Sequence, residues 1–255
     1  MIFFKINLDN SLRNTGFTLA EVLITLGIIG IVANMTIPTL IANTQKAQYV
    51  ATLKKAYTQF NQVLVKMSND YGCPGDLKCM GEWSGGNTTS TLLIGEIISS
   101  YFKVIKNCKN STNQDCMASR VNYKYGGKGA VDTTMNQMWA YKFITVEGVS
   151  FFMYSSGNNC GSNLSNGKFG YLTQTCGNVS IDINGPNKGP NYWGRDIFNF
   201  AITNGKGPLL YPRGSVDEGN TGTWQNSSAN GCTPGCTIDY YCSARIIENN
   251  WEMDY

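Results

Sequence analysis

A chain of 255 residues has room for one large domain or two small ones, and it holds enough Trp, Tyr and Phe for a packed core. A net charge of +3, with 15% charged residues and no cluster of Lys and Arg, excludes the basic footprint of a nucleic-acid binder. Histidine is absent, which excludes Ser-His-Asp and Cys-His catalysis and every histidine-containing zinc site.

In chain order, residues 1–16 (MIFFKINLDNSLRNTG) form a short segment carrying Lys5 and Arg13. Residues 17–42 (FTLAEVLITLGIIGIVANMTIPTLIA) follow, with Glu21 as the lone charge. About 20 apolar residues at 1.5 Å rise cross the roughly 30 Å hydrocarbon core of a bilayer. Basic residues ahead of the run place the N-terminus in the cytoplasm and export everything after it. A cleaved secretory signal fits poorly, because the run is too long and no small-x-small site follows. A plain signal anchor leaves Glu21 unexplained. A carboxylate in hydrocarbon is costly, and no basic residue of this chain lies within helical reach, so its partner is expected from elsewhere. Gly27 and Gly30 suit close approach of helices in a membrane.

Gly16-Phe17-Thr18-Leu19-Ala20-Glu21, continued by Val22-Leu23-Ile24, resembles the cleavage and methylation motif of type IV pilins and type II secretion pseudopilins. The resemblance covers about residues 10–70. It implies cleavage after Gly16 by a prepilin peptidase, N-methylation of Phe17, and pairing of Glu21 with the terminal amine of a neighbouring subunit. Pro38 falls where many family members carry a proline, and it can kink or locally melt the helix. The partners implied are the peptidase and methylase, the bacterial inner membrane, and a filament of this chain with other pilin-like subunits, in the periplasm or at the cell surface. The resemblance implies a structural subunit, not an enzyme, with no cofactor beyond a candidate calcium ion.

Beyond the apolar run, 43–72 reads as an amphipathic continuation of the same helix. Val50, Leu53, Tyr57, Phe60, Leu64, Met67 and Tyr71 recur at spacings of three and four, with Lys46, Lys54, Lys55 and Lys66 largely off the stripe. Gly72-Cys73-Pro74-Gly75 ends it. The remainder, 73–255, is read as an exported globular head. Residues 76–90 read as a linker and Thr91 to Lys106 as a short helix. Strand-like stretches fall near 139–146, 148–154, 178–183 and 196–202, with turns at Glu147-Gly148 and Asn184-Gly185-Pro186. Ile238 to Trp251 reads as partly helical, with Trp224 and Trp251 as core or edge packing. The expected fold is α+β, a long pilin-like helix packed on a small antiparallel sheet.

Nine cysteines (Cys73, Cys79, Cys108, Cys116, Cys160, Cys176, Cys232, Cys236 and Cys242) all lie in this head. Only Cys232 and Cys236 have the spacing of a zinc knuckle, and no second knuckle answers them, so disulfides are preferred. The pairs 73–79, 108–116 and 160–176 are sterically easy, while Cys242 could join Cys232 or Cys236. An odd count leaves at least one thiol free or paired between chains. The stretch from Asp182 to Asp196 gathers oxygen-bearing side chains and echoes the opening of a calcium loop, without the full EF-hand spacing. Asp182, Asn184 and Asp196 are candidate calcium ligands, and pseudopilins of the major class resemble this in holding calcium in a late loop. The competing reading is a long hairpin turn in which Asp and Asn satisfy backbone groups. A membrane-anchored binding module, such as an adhesin or glycan-binding head, remains the alternative to a filament subunit.

Overall fold

A capped start and a long apolar run, continued past Pro38 by an amphipathic stretch, give one helix, α1 (Leu19–Asp70), in the computed structural model of the chain. The structure describes residues 16–112, 115–125, 131–165, 170–204, 209–219 and 222–255. Residues 1–15 of the expected leader, with Lys5 and Arg13, lie outside the described residues. The chain divides into two compact units, Met1–Gln45 and Lys46–Tyr255, and α1 contributes residues to both.

In the first unit every described residue is exposed except Ala33, which is half-buried. Leu23, Ile24, Leu26, Ile28, Ile29, Ile31 and Leu40 all present their side chains outward. Pro38 stands inside the helix, where its missing N–H leaves the carbonyl four residues earlier without its helical donor.

In the second unit α1 buries Val50, Leu53, Ala56, Phe60, Leu64 and Met67. Burying each large apolar side chain stabilises the fold by about 2 kcal/mol. Tyr71, expected in this stripe, is instead 44% exposed because the helix has already ended. Gly72, at φ +72°, donates to the Asn69 carbonyl, and the Cys73 N–H donates to the Ser68 carbonyl. That pair of bonds closes the helix C-terminus, and its left-handed residue favours glycine.

Residues 76–90 are no linker. A 3₁₀ turn (Leu77–Met80) buries Leu77, and Trp83 is fully buried. Asn87 then caps α2 (Thr88–Ser100) by accepting from the Ser90 N–H at 2.9 Å. The helix expected to reach Lys106 stops at Ser100, and β1 (Val104–Lys109) takes the rest, because β-branched Val104 pairs with Thr145 at the sheet edge. Gly95 lets α2 lie directly on Tyr141, since a Cβ there would come within 2.2 Å of that ring.

The remaining strands are β2 (Val121–Tyr123), β3 (Val131–Asp132), β4 (Tyr141–Thr145), β5 (Ser150–Ser155), β6 (Thr175–Asp182), β7 (Tyr192–Trp193), β8 (Ile197–Thr203) and β9 (Leu210–Pro212). They form a sheet in the order β1-β4-β5-β6-β8-β7-β2-β3, with β9 also on β8. The sheet is larger than the small antiparallel one expected, and it is mixed: β2–β7 and β7–β8 run parallel. Both parallel pairs involve the two-residue β7, which is too short to carry a periodicity to read. Phe151 and Met153 of β5, Val179 and Ile181 of β6, and Phe198, Phe200 and Ile202 of β8 share one core with the buried face of α1. Phe60 meets Phe151 with ring centroids 5.4 Å apart, and Tyr57 meets Phe200 at 5.4 Å. The opposite face of the sheet buries Phe152 and Ile197 with Trp193. A short helix, α3 (Cys242–Glu248), supplies the helical part of the 238–251 stretch. Trp224 and Trp251 are partly buried against the core, and the layout is α+β, as expected.

Candidate functional site

The first candidate site is the start of α1. Gly16 and Phe17 are non-helical and exposed, Phe17 by 86%. Thr18 occupies the capping position, and Glu21 stands three residues on. The Thr18 backbone N–H and hydroxyl both donate to Glu21 Oε2 at 2.8 Å, while the Glu21 N–H donates to Thr18 Oγ1 at 3.3 Å. This is a reciprocal capping box, satisfying two orphan donors of the helix end. It gives Glu21 a neutral partner on its own chain, beside the counter-ion expected from elsewhere. Sequence reasoning missed Thr18, although the Thr-x-x-Glu spacing was there to read.

The threonine hydroxyls of the exposed apolar stretch are satisfied within the helix. Thr25 donates to the Val22 carbonyl at 3.0 Å, Thr36 to Val32 at 3.0 Å and Thr39 to Thr36 at 2.8 Å. Gly27 and Gly30 have nothing within 4 Å of where a Cβ would stand, so each leaves a shallow, open notch. This helix is long and apolar enough to cross a membrane by length and composition.

The second candidate site is the loop between β6 and β8. Asp182 and Asp196 are fully buried. Asp182 Oδ1 accepts from the Asn184 N–H at 3.2 Å and the Gly185 N–H at 2.9 Å, an Asx-type turn. Asp196 Oδ2 accepts from the Asn191 N–H at 2.8 Å and Asn184 Nδ2 at 3.3 Å, and its Oδ1 accepts from the Tyr192 N–H at 2.6 Å. Asn184 therefore joins the two carboxylates. Burial, reinforced by the Asp196 charge, pushes the Asp182 carboxyl up to about 8. Burial also raises Asp196, against the opposing backbone donors of Tyr192 and Asn191.

Three oxygens of this loop, Asp182 Oδ2, Asn184 Oδ1 and Asn191 Oδ1, are buried without a hydrogen-bond partner. Buried acceptors left unmatched are rare in folded proteins and cost about 1–3 kcal/mol each. A set of carboxylate and amide oxygens of this kind suits a hard cation, which prefers oxygen ligands. Asn191, held at φ +56°, is the member that sequence reasoning missed. Its left-handed backbone, which Asn tolerates better than most residues, gives no periodic signal.

The cysteines stand as four bridges, Cys73–Cys79, Cys108–Cys116, Cys160–Cys176 and Cys232–Cys242. Cys232 is thereby withdrawn from any zinc knuckle with Cys236. Cys236 is a buried free thiol whose Sγ donates to Asp239 Oδ1 at 3.1 Å. Among the described residues no group of three or more Cys, Asp or Glu side chains is placed to hold a metal on its own. A cation in the β6–β8 loop would therefore depend on the amide oxygens.

Residues 12–33 match the family described as the prokaryotic N-terminal methylation motif, the signature of type IV pilin-like and pseudopilin subunits. The match covers the capping box and the apolar stretch as far as Ala33. No curated protein and no solved structure matches the chain.

Proposed function

We propose that this chain is the precursor of a structural subunit of a type IV pilus-like or type II secretion pseudopilus filament, cut after Gly16 and N-methylated at Phe17 by a prepilin peptidase. The observation that carries the reading is Glu21 in the first turn of a helix whose following apolar residues are uncovered, within a matched methylation motif. Cleavage would create an ammonium at Phe17. Both Thr18 donors go to Oε2 of Glu21, so Oε1 is the oxygen to which a neighbour's amine would bind. A buried carboxylate and ammonium neutralise each other, and removing one strands the other at roughly 3–5 kcal/mol. The pair therefore sets the axial register of identical subunits, which stack into an open fibre when their rotation does not close.

In this reading α1 anchors the subunit once in the bacterial inner membrane, N-terminus inside and the disulfide-bearing unit outside, before it enters the filament. The chain is then a substrate of the peptidase and methylase and catalyses nothing itself. Mass spectrometry of the mature N-terminus tests the proposal: a methylated Phe17 is expected, and an intact leader on exported protein overturns it. Substituting Glu21→Ala separates filament subunit from anchored binding module, since only the former should lose assembly.

We propose in addition that Asp182, Asn184, Asn191 and Asp196 hold a calcium ion, on the strength of the three unmatched oxygens of that loop. When bound, a calcium ion would supply positive charge to offset the two buried carboxylates. These residues would fix the β6–β8 connection beside the sheet.

A further inference from the structure

A polar cavity of the second unit opens beside the β6–β8 loop, and the functions argued above make no use of it. Two segments enter neighbouring strands from the same end: 115–120 runs into β2 and 186–191 runs into β7, and these strands pair in parallel, Asn122 opposite Tyr192. The Asn122 N–H donates to the Asn191 carbonyl at 2.8 Å, which ties the segments together at their base. Between them lies a cavity of about 360 Å³, with Asp115, Ser119 and Arg120 on one side and Pro186, Asn187 and Asn191 on the other. Its size falls within the range of small-molecule sites, about 300–1,000 Å³.

Both walls are held in place. Cys116 is bridged to Cys108, and Met117 and Ala118 are buried with Val121, Phe152 and Trp193. Across the cavity, Asn191 donates its N–H to Asp196 at 2.8 Å and its side-chain amide to the Pro186 carbonyl at 3.3 Å. The shape is therefore set before any ligand arrives.

The lining chemistry narrows the ligand. Asp115 has a counter-ion in Lys106 at 3.9 Å, whereas Arg120 is exposed and forms no ion pair among the described residues. A guanidinium whose planar fork is unclaimed suits a carboxylate, which it can bind through two parallel hydrogen bonds. The Asp115 charge at the same cavity opposes a more highly charged anion. Met117 and Ala118 also line it, but they are nearly buried and offer little apolar surface. The exposed Ser119 hydroxyl and Asn187 amide supply both donors and acceptors. Neighbouring hydroxyls of a sugar ring, each a donor and an acceptor, match such groups. Asn191 is shared with the cation loop, so the ligand's hydrogen bonds are assigned to the other three.

We propose that this cavity binds a saccharide bearing one carboxylate, with Arg120 pairing the carboxylate and Ser119 and Asn187 bonding ring hydroxyls. The proposal does not depend on filament assembly.

The test uses the full chain in detergent micelles with calcium present. Glucuronate and galacturonate are titrated by saturation-transfer NMR beside glucose, galactose and acetate, which each offer half of the chemistry. At least one uronate should bind about tenfold or more tightly than its neutral sugar and than acetate. Arg120→Gln, at an exposed side chain, should weaken that uronate by about tenfold or more and leave the neutral sugar unchanged. Asn187→Ala should weaken both, and thermal melts confirm that each variant folds. Absence of binding by both uronates overturns the proposal, as does binding that Arg120→Gln leaves intact. Acetate binding as tightly as the uronates overturns the saccharide assignment and would give the cavity to carboxylates of any source, including an acidic side chain of another protein.

Discussion

Thr18 and Glu21 hold each other across the first turn of α1, the hydroxyl and N–H of one donating to Oε2 of the other. The carboxylate that would bind a neighbour's amine is thus pre-set by its own chain. Thr18→Ala should remove the cap, costing about 1 kcal/mol of helix stability, and should lower the yield of assembled filament. Thr18→Ser, which keeps the hydroxyl, should restore it. Filament yield by shearing and immunoblot reads the outcome, and unimpaired assembly of Thr18→Ala would show that the cap does not position Glu21.

The β6–β8 loop predicts a calcium response. A cation that binds only the folded state stabilises it by about 2.7 kcal/mol at a hundredfold excess over Kd. Thermal melts with calcium and with chelator should therefore differ in wild type. The difference should disappear in Asp182→Asn and in Asp196→Asn, whose remaining carboxylate is too little charge to hold the ion. Identical melts for wild type in both conditions would refute the site.

Lys142 predicts a pH effect of defined sign. It is fully buried, its Nζ donates to the Gln137 carbonyl, and burial lowers the amine to about 8 from 10.5. The folded state therefore sheds this proton before the unfolded one. The penalty of the buried charge is complete below pH 8 and fades as pH rises from about 8 to 10.5. Lys142→Met should be more stable than wild type near neutrality, by up to about 3 kcal/mol less the lost hydrogen bond. That advantage should shrink across the same pH window, as measured by urea unfolding of both proteins. A gap that widens with rising pH would contradict the assignment.

Cys236 is the thiol left over by the four bridges, and burial, then the Asp239 carboxylate beside it, push it up to about 12. Its thiolate population at pH 8 is about a thousandfold below that of an ordinary cysteine. Iodoacetamide should therefore leave the native protein unlabelled and modify one cysteine after denaturation without reductant. A Cys236-dependent dimer on a non-reducing gel would contradict the burial of this group.

Much of this was readable from sequence because it is local. The apolar run 17–42 with one carboxylate, the three- and four-residue spacing from Val50 to Met67, and Gly72 at the helix end each depend on neighbours within a turn or two. Tertiary contact decided what sequence spacing cannot encode. Trp83 is a core residue inside what reads as a linker, because the Leu77 turn and the Cys73–Cys79 bridge fix the backbone around it. Val104 belongs to a strand although it continues a helical pattern, because pairing with Thr145 outweighs intrinsic preference. Cys242 takes Cys232 over Cys236, Asn191 joins Asp182 and Asp196, and Arg120 meets Asn187 across one cavity, each by long-range packing. Sequence by itself determined the helix, its charge and its processing motif, since these follow from periodicity and composition. Which distant side chains share a site was decided only when the sheet brought them together, since burial and electrostatics act on distances in space.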